Sequence, residues 1–474
     1  MVSKAPERSR LLHVLSYATL TSAIVSSLGM LLVPTVSIEM HVSVSTAQWM
    51  LTVNLLVGAV ATPIMGRLSD GPYKKRLLLS SLLIILVGSV VAAVAPNFTI
   101  FLVGRALQGL AYGIVPVSIA LARRYLPETM VQYGISSLSI VVSTGLGLGY
   151  PLTGILGDVF GFRSAFIFAA IFLVTAVIAV WRIVPSGPDT QARASSFDFP
   201  GAILLGCGLM ALLVVVSEGS NWGWSSPLTI GLFLSASIVL GTWVVVELRA
   251  TGPLVNVRVL RNGDILLANV TAAGLGAAMY VTLSIISLVA QAPKSTGYGI
   301  ALPLFWAGFV MLPLSVGSLG ANRLVRKLAG RVRMTVLLLF GISLVTTSTT
   351  LLWLARRHLW EIMVWMLLIG VGIGMTYAAM PALIAKVVAA QELGSAVSFN
   401  QVLRTVGGAF GSAVSGAVLA THVSSDSRPT ASAINVSLAL GAGGSTAVFL
   451  SLSMFLLNRR QSASATSSTS TTTL

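Results

Sequence analysis

The sequence predicts an all-α polytopic membrane protein with fourteen spanning helices. Three observations predict it. Of 474 residues, 55% are hydrophobic and 9% charged, against about 25% charged in ordinary soluble domains. Apolar stretches long enough to span a bilayer, about 20 residues each, recur along the whole chain. The 29 Lys and Arg residues cluster in alternate connections between those stretches, the pattern that orients helices in a membrane.

The first segment, 14–38, is too long for a signal-peptide core and precedes no small-residue cleavage site, so it is expected to be a retained helix. Segments 49–67 and 77–95 flank the charged, helix-breaking run Gly66-Arg67-Leu68-Ser69-Asp70-Gly71-Pro72-Tyr73-Lys74-Lys75-Arg76. Segment 99–121 starts after the turn Ala95-Pro96-Asn97-Phe98 and carries Arg105 inside it. Segment 133–157 is glycine-rich, and 164–184 completes a first set of six. Segments 199–217 and 228–247 are joined through Asn221-Trp222-Gly223-Trp224, turn and aromatic residues suited to an interface. A second set of six follows at 264–290, 299–321, 334–354, 361–385, 393–420 and 434–457. A cytoplasmic N-terminus (1–13) is expected before these segments and a disordered Ser/Thr-rich cytoplasmic tail (459–474) after them.

With the N-terminus inside, 22 of the 29 basic residues face the cytoplasm, 5 face outward and 2, Arg105 and Arg404, lie within helices. That asymmetry supports an even helix number and both termini in the cytoplasm. It also accounts for the net charge of +16 without nucleic acid, because the basic residues are scattered among apolar segments. The single cysteine, Cys207, excludes a disulfide framework or cysteine metal site. The four histidines are isolated, and no nucleotide loop or catalytic constellation is present, so neither an enzyme nor a cofactor is expected.

Three motifs stand in order. In the run above, Gly66, Asp70, Lys74 and Lys75 keep a Gly-x-x-x-Asp-x-x-x-Lys-Lys spacing. Gly66 permits close helix approach, and Asp70 is placed to latch two bundles in one conformation or to pair with loop cations. Arg105-Ala106-Leu107-Gln108-Gly109 puts a cation in an apolar segment, at a cost of roughly 2.5–3.5 kcal/mol. It is expected to turn inward to an acceptor, or else to snorkel to the outer interface. Gly145-Leu146-Gly147-Leu148-Gly149-Tyr150-Pro151-Leu152-Thr153-Gly154 combines a smooth glycine face with a proline that permits a kink.

These motifs resemble those of the major facilitator superfamily, and the chain is similar to its fourteen-helix drug:proton antiporter branch. The resemblance implies a six-helix bundle (14–184), two additional helices (199–247) and a second six-helix bundle (264–458). Further matches to that branch are Glu218–Trp224, Glu247-Leu248-Arg249, Pro253–Arg258 and Asn400–Ala409. The resemblance implies a coupling and conformational latch of Gly66, Asp70, Lys74, Lys75 and Arg105, the arginine taking part in proton transfer. It also implies an antiporter motif of Gly145, Gly149, Pro151 and Gly154 that seals the halves. Two departures stand out. Tyr73 replaces a motif glycine. In the first helix, aligned on Pro34, Val25 and Met30 occupy the places of a branch aspartate and asparagine. None of the 13 acids falls near a predicted bilayer midplane, leaving Glu39 and Asp70 as alternatives for proton coupling.

Candidate cavity residues are Asn54, Gln108, Tyr112, Tyr280, Tyr377, Asn400 and Arg404, with Met279 and Trp306, each a polar, aromatic or soft group in an aliphatic segment. For the aromatic residues, helix packing or interface anchoring is the competing reading. An interior with arginines and no acid is expected to favour neutral or anionic cargo over dications. The expected function is proton-driven export of hydrophobic or amphiphilic drugs by a monomer in the cell membrane, with small molecules, protons and lipid as its partners. The alternatives are an exporter of one endogenous metabolite, an uncoupled facilitator, or a non-transporting receptor or scaffold.

Overall fold

The computed structural model describes residues 5–29, 31–42, 44–187, 198–328, 331–389, 392–421 and 429–470. Among them the chain is built from α1 (Ala5–Ser27), α2 (Val33–Glu39), α3 (Val44–Asp70), α4 (Lys74–Val94), α5 (Phe98–Gln108), α6 (Ile114–Tyr125), α7 (Glu128–Phe160) and α8 (Phe162–Ile183). Then come α9 (Phe199–Trp222) and α10 (Pro227–Arg249). The remaining helices are α11 (Gly263–Gln291), α12 (Leu304–Phe309), α13 (Leu312–Leu328), α14 (Met334–Leu354), α15 (Leu359–Val387), α16 (Leu393–Thr421) and α17 (Ala431–Ser470). Thirteen helical stretches among the described residues are long and apolar enough to cross a membrane.

The predicted first segment is divided between α1 and α2. Gly29 adopts φ +106° there, a conformation that breaks the helix and that L side chains rarely take. Met30 lies outside the described residues. The predicted fourth segment is α5 and α6, joined by a 3₁₀ turn at Gly109–Gly113. The tenth is α12 and α13, interrupted at Val310 and Met311. At the C-terminal end α17 continues to Ser470, through the tail expected to be disordered. No glycine or proline from Gln461 to Ser470 ends it.

Helix ends are closed by local chemistry, as backbone polar groups near a bilayer require. Gly71-Pro72 follows the end of α3. The Asn97 side chain accepts from the Ile100 N–H at 3.0 Å, and Asp198 Oδ1 accepts from the Gly201 N–H at 2.8 Å. Ser226 Oγ accepts from the Thr229 N–H at 3.2 Å, one residue ahead of Pro227.

The helices α1–α8 form one half and α11–α17 the other, joined through a continuous buried apolar cluster. The helix α9 bridges the seam. Leu209 and Leu205 pack with Ile64 of α3 and with Val402 and Phe399 of α16. Leu213 and Val216 meet Leu56 and Ala59 of α3 and Ala409 of α16. The helix α10 lies outside it, with Leu234 and Ile238 exposed for lipid. Both halves direct their polar side chains to one seam, and that seam carries the candidate site.

Candidate substrate cavity and bundle interface

The helix α3 ends at Asp70, whose carboxylate crosses into the second half. Oδ1 accepts from the Gly394 N–H at 2.7 Å and Oδ2 from the Ser395 N–H at 3.0 Å. These N–H groups belong to the first turn of α16, where no intrahelical acceptor exists and the helix dipole favours a negative charge. Asp70 therefore caps a helix in the opposite half. It reaches its place because Gly66, one turn earlier, lets the backbones touch. A Cβ at Gly66 would lie 2.2 Å from Ser398 Oγ and 2.8 Å from the Gly394 carbonyl oxygen.

Arg123 makes the complementary contact on the same face. Its Nη1 donates at 2.8 Å to the carbonyl of Ala385, in the last turn of α15. A carboxylate thus meets a helix N-terminus and a guanidinium meets a helix C-terminus, each favourable to the dipole it faces. Ser136 Oγ adds a bond to the Ala378 carbonyl at 3.1 Å. The sequence reading misses Arg123, which carries no local mark beyond a basic loop. It also places Lys74 and Lys75 in the latch; of these, Lys74 Nζ donates to the Asp70 carbonyl at 3.4 Å. Lys74 Nζ donates to the Gly71 carbonyl at 2.8 Å, holding its own turn. Lys75 Nζ donates to the Trp181 carbonyl at 2.8 Å and to Ser186 Oγ at 2.9 Å, closing the end of α8. Both cations follow the turn that starts α4, so they point to nearby carbonyls of their own half.

Further along the seam α7 meets α12 and α13. Ser315 Oγ donates to the Thr144 carbonyl at 2.9 Å, and a Cβ on Gly308 would lie 3.1 Å from Pro151 Cα. The glycine-rich motif divides between two tasks. Gly147 and Pro151 face the second half, whereas Gly145 and Gly149 face Ala23 and Ser27 of α1 in their own half. Gly154 is buried in α7. Only part of the motif therefore lies between the halves, because residues two apart on a helix point some 200° apart.

Arg105 is 0% exposed and lies in the interior of the first half, apart from the Asp70 latch. Its Nε donates to the Met50 carbonyl at 3.2 Å and its Nη1 to Gln108 Oε1 at 2.6 Å. Gln108 Nε2 in turn donates to Ser89 Oγ at 2.8 Å, and Asn54 Nδ2 donates to the Arg105 carbonyl at 3.0 Å. This network ties α3, α4 and α5 together and satisfies a costly buried cation. Arginine finds acceptors inward rather than snorkelling.

Between the halves lies a cavity lined by Tyr112, Met279, Tyr280, Tyr377, Gln401 and Arg404, among others. Its free volume is ≈ 30 Å³, about one water's share of liquid volume. Tyr112 and Tyr280, from opposite halves, both line it. The Tyr377 hydroxyl donates to Met279 Sδ at 3.6 Å, and the Arg404 guanidinium stacks on the Tyr377 ring at 4.1 Å. A larger cleft of ≈ 720 Å³ lies beside the latch, lined by Arg67, Asp70, Tyr73, Arg76, Asn256 and Glu392 among others, outside the central chamber.

Four of the seven predicted cavity residues meet here: Tyr112, Tyr280, Tyr377 and Arg404. The other three do not. Asn54 and Gln108 serve the Arg105 network, and Asn400 Nδ2 donates to the Ala268 carbonyl at 3.0 Å and to Asn269 Oδ1 at 2.9 Å. Trp306 is 57% exposed and also lies outside. Helical phase explains the split on α16. Gln401, Arg404 and Thr405 share one stripe toward the cavity, whereas Asn400, one position earlier, turns toward α11. That phase is the signal that finds Gln401. Asn400→Leu is expected to lower thermal stability by about 1–3 kcal/mol through orphaned partners, with KM unchanged. Gln401→Leu is expected to change KM roughly 2- to 10-fold with little change in melting temperature. Paired melting and flux assays check both.

Two helical halves closed round an interior chamber, with separable polar links between them, define a polytopic membrane transporter. The chain belongs to the Major Facilitator Superfamily, whose family model matches residues 15–412. It is 26% identical over 420 residues to an uncharacterized MFS-type transporter of Mycobacterium tuberculosis, covering 87% of this chain and 59% of that relative's length. It is 26% identical over 385 residues to the multidrug resistance protein Stp of the same organism, covering 81% of this chain and 70% of the relative. In fold it resembles the human organic anion transporter MFSD10 (TETRAN), with a TM-score of 0.66 at 15% identity, over 94% of this chain and 99% of that one.

Proposed function

We propose that the chain exports hydrophobic or amphiphilic small molecules from the cytoplasm by alternating access, in exchange for protons. The observation that carries this reading is the narrow, aromatic chamber at the seam of the two halves. A chamber with a free volume of ≈ 30 Å³ must widen to load cargo, and rocking of one half against the other widens it. The kinship to a multidrug resistance protein supports drugs as cargo. Asp70 supports proton coupling, because its protonation removes the charge that holds α16. Glu39 is exposed at the end of α2 and makes a poorer carrier.

Flux of a fluorescent hydrophobic drug in proteoliposomes, with and without an imposed pH gradient, tests the proposal. Gradient-driven accumulation is expected. One observation favours a second reading, an uncoupled facilitator: among the described residues no Asp or Glu lines the central cavity. Flux indifferent to the gradient would select it, and absence of flux for every drug tried would overturn drug export and leave an exporter of one metabolite or a non-transporting scaffold.

A further inference from the structure

Resting on the reading of the central chamber as the cargo site, we infer that it is a monoanion site, whose cargo is an aromatic amphiphile bearing one negative charge with Arg404 as its counter-ion. Arg404 is only 9% exposed and borders the cavity. Among the described residues its guanidinium is held by the Tyr377 ring at 4.1 Å, with no carboxylate, carbonyl or hydroxyl recorded as its acceptor. The contrast with Arg105 is chemical. Arg105 commits Nε and Nη1 to Met50 and Gln108, whereas Arg404, also with five N–H donors, rests on a ring face at the cavity wall. A ring face compensates a buried guanidinium less fully than hydrogen-bonded acceptors do.

The surroundings point the same way. Arg105 and Arg404 both act electrostatically on Tyr112, so the chamber carries positive potential, and no described acid lines it. An anion is favoured there and a cation disfavoured. One uncommitted arginine matches one charge, and its planar fork suits a carboxylate or phenolate. Three tyrosine rings and Met279 supply the apolar, aromatic part of the lining. The tyrosine hydroxyls at the lining are further donors that an anion in the widened chamber can accept from.

The test uses three aromatic probes of equal size on the purified full chain in nanodiscs, with binding read by equilibrium dialysis: naphthoate (anionic), naphthamide (neutral) and naphthylmethylammonium (cationic). Naphthoate is expected to bind roughly 10- to 100-fold more tightly than naphthamide, and the ammonium probe most weakly. Arg404→Gln is expected to remove the preference for naphthoate over naphthamide, and Arg404→Lys to keep part of it. Equal binding of all three, tightest binding of the cation, or an unchanged preference in Arg404→Gln overturns the inference. Should Arg404→Gln fail to fold, the wild-type charge series decides alone. Binding of none of the three alongside intact drug flux also overturns it and leaves the exporter reading standing; loss of flux for every compound overturns the exporter reading itself.

Discussion

Replacing Gly66 with valine is expected to abolish transport and to hold the two halves apart on the face that carries the Gly71–Tyr73 turn. The reason is geometric. Even the first side-chain carbon at this position would stand 2.8 Å from the Gly394 carbonyl oxygen and 2.2 Å from Ser398 Oγ. The serine can rotate away, but the carbonyl belongs to the first turn of α16 and cannot move without the helix. The crossing is tight from the other side too, since a Cβ on Gly394 would lie 2.6 Å from the Gly66 carbonyl oxygen. Valine adds two methyl groups to that clash, and overpacking alone costs about 1–3 kcal/mol. Separating α3 from α16 also breaks both Asp70 bonds. In a Cys207→Ser background, a cysteine at Ser395 is expected to react with a polar thiol reagent faster in the Gly66→Val protein. Gly66→Ala is expected to fall between. Wild-type flux in Gly66→Val would mean that the halves never need to close at this crossing.

Asp70→Asn is expected to impair transport while leaving membrane insertion intact. Asparagine keeps one oxygen to accept from Gly394 or Ser395 but loses the second acceptor and the negative charge at the α16 N-terminus. Hydrogen bonds to charged groups contribute about 1.5–3 kcal/mol. Losing about 2 kcal/mol from the closed state shifts its population roughly 30-fold. Flux falls because the cycle no longer returns efficiently through that state. Insertion is unaffected because Asp70 ends a helix that spans independently of the α16 contact. Expression level and gel-filtration profile check insertion, and proteoliposome flux checks function. Undiminished flux would remove Asp70 from the mechanism.

These two residues show how far a site is legible in a sequence. Gly66 and Asp70 stand out because their spacing to Lys74 and Lys75 resembles the loop motif of the family. Their partners, Gly394 and Ser395, contribute only backbone N–H groups, and those carry no sequence signature. Arg123 is hidden for the same reason: its acceptor is the carbonyl of Ala385. The basic neighbours Lys74 and Lys75 look equally eligible for the latch, yet their side chains reach carbonyls within the first half. On α16, composition marks Asn400 and Arg404 alike. A 100° step per residue puts one against α11 and the other, with Gln401, on the cavity stripe.

The sequence by itself determined the membrane as solvent, the helical class and the approximate place of the crossings. These depend on hydropathy and helix breakers, which act over a single segment. It also marked Tyr112, Tyr280, Tyr377 and Arg404, because polar or aromatic groups in aliphatic helices are costly or conspicuous wherever they end up. Tertiary structure decided which of those groups face one another, which breaks divide a crossing, and that Arg105 is committed to Met50 and Gln108 while Arg404 is not. Those outcomes depend on helix rotation and on partners carried by other helices. They are set by packing between helices, which no local stretch of sequence encodes.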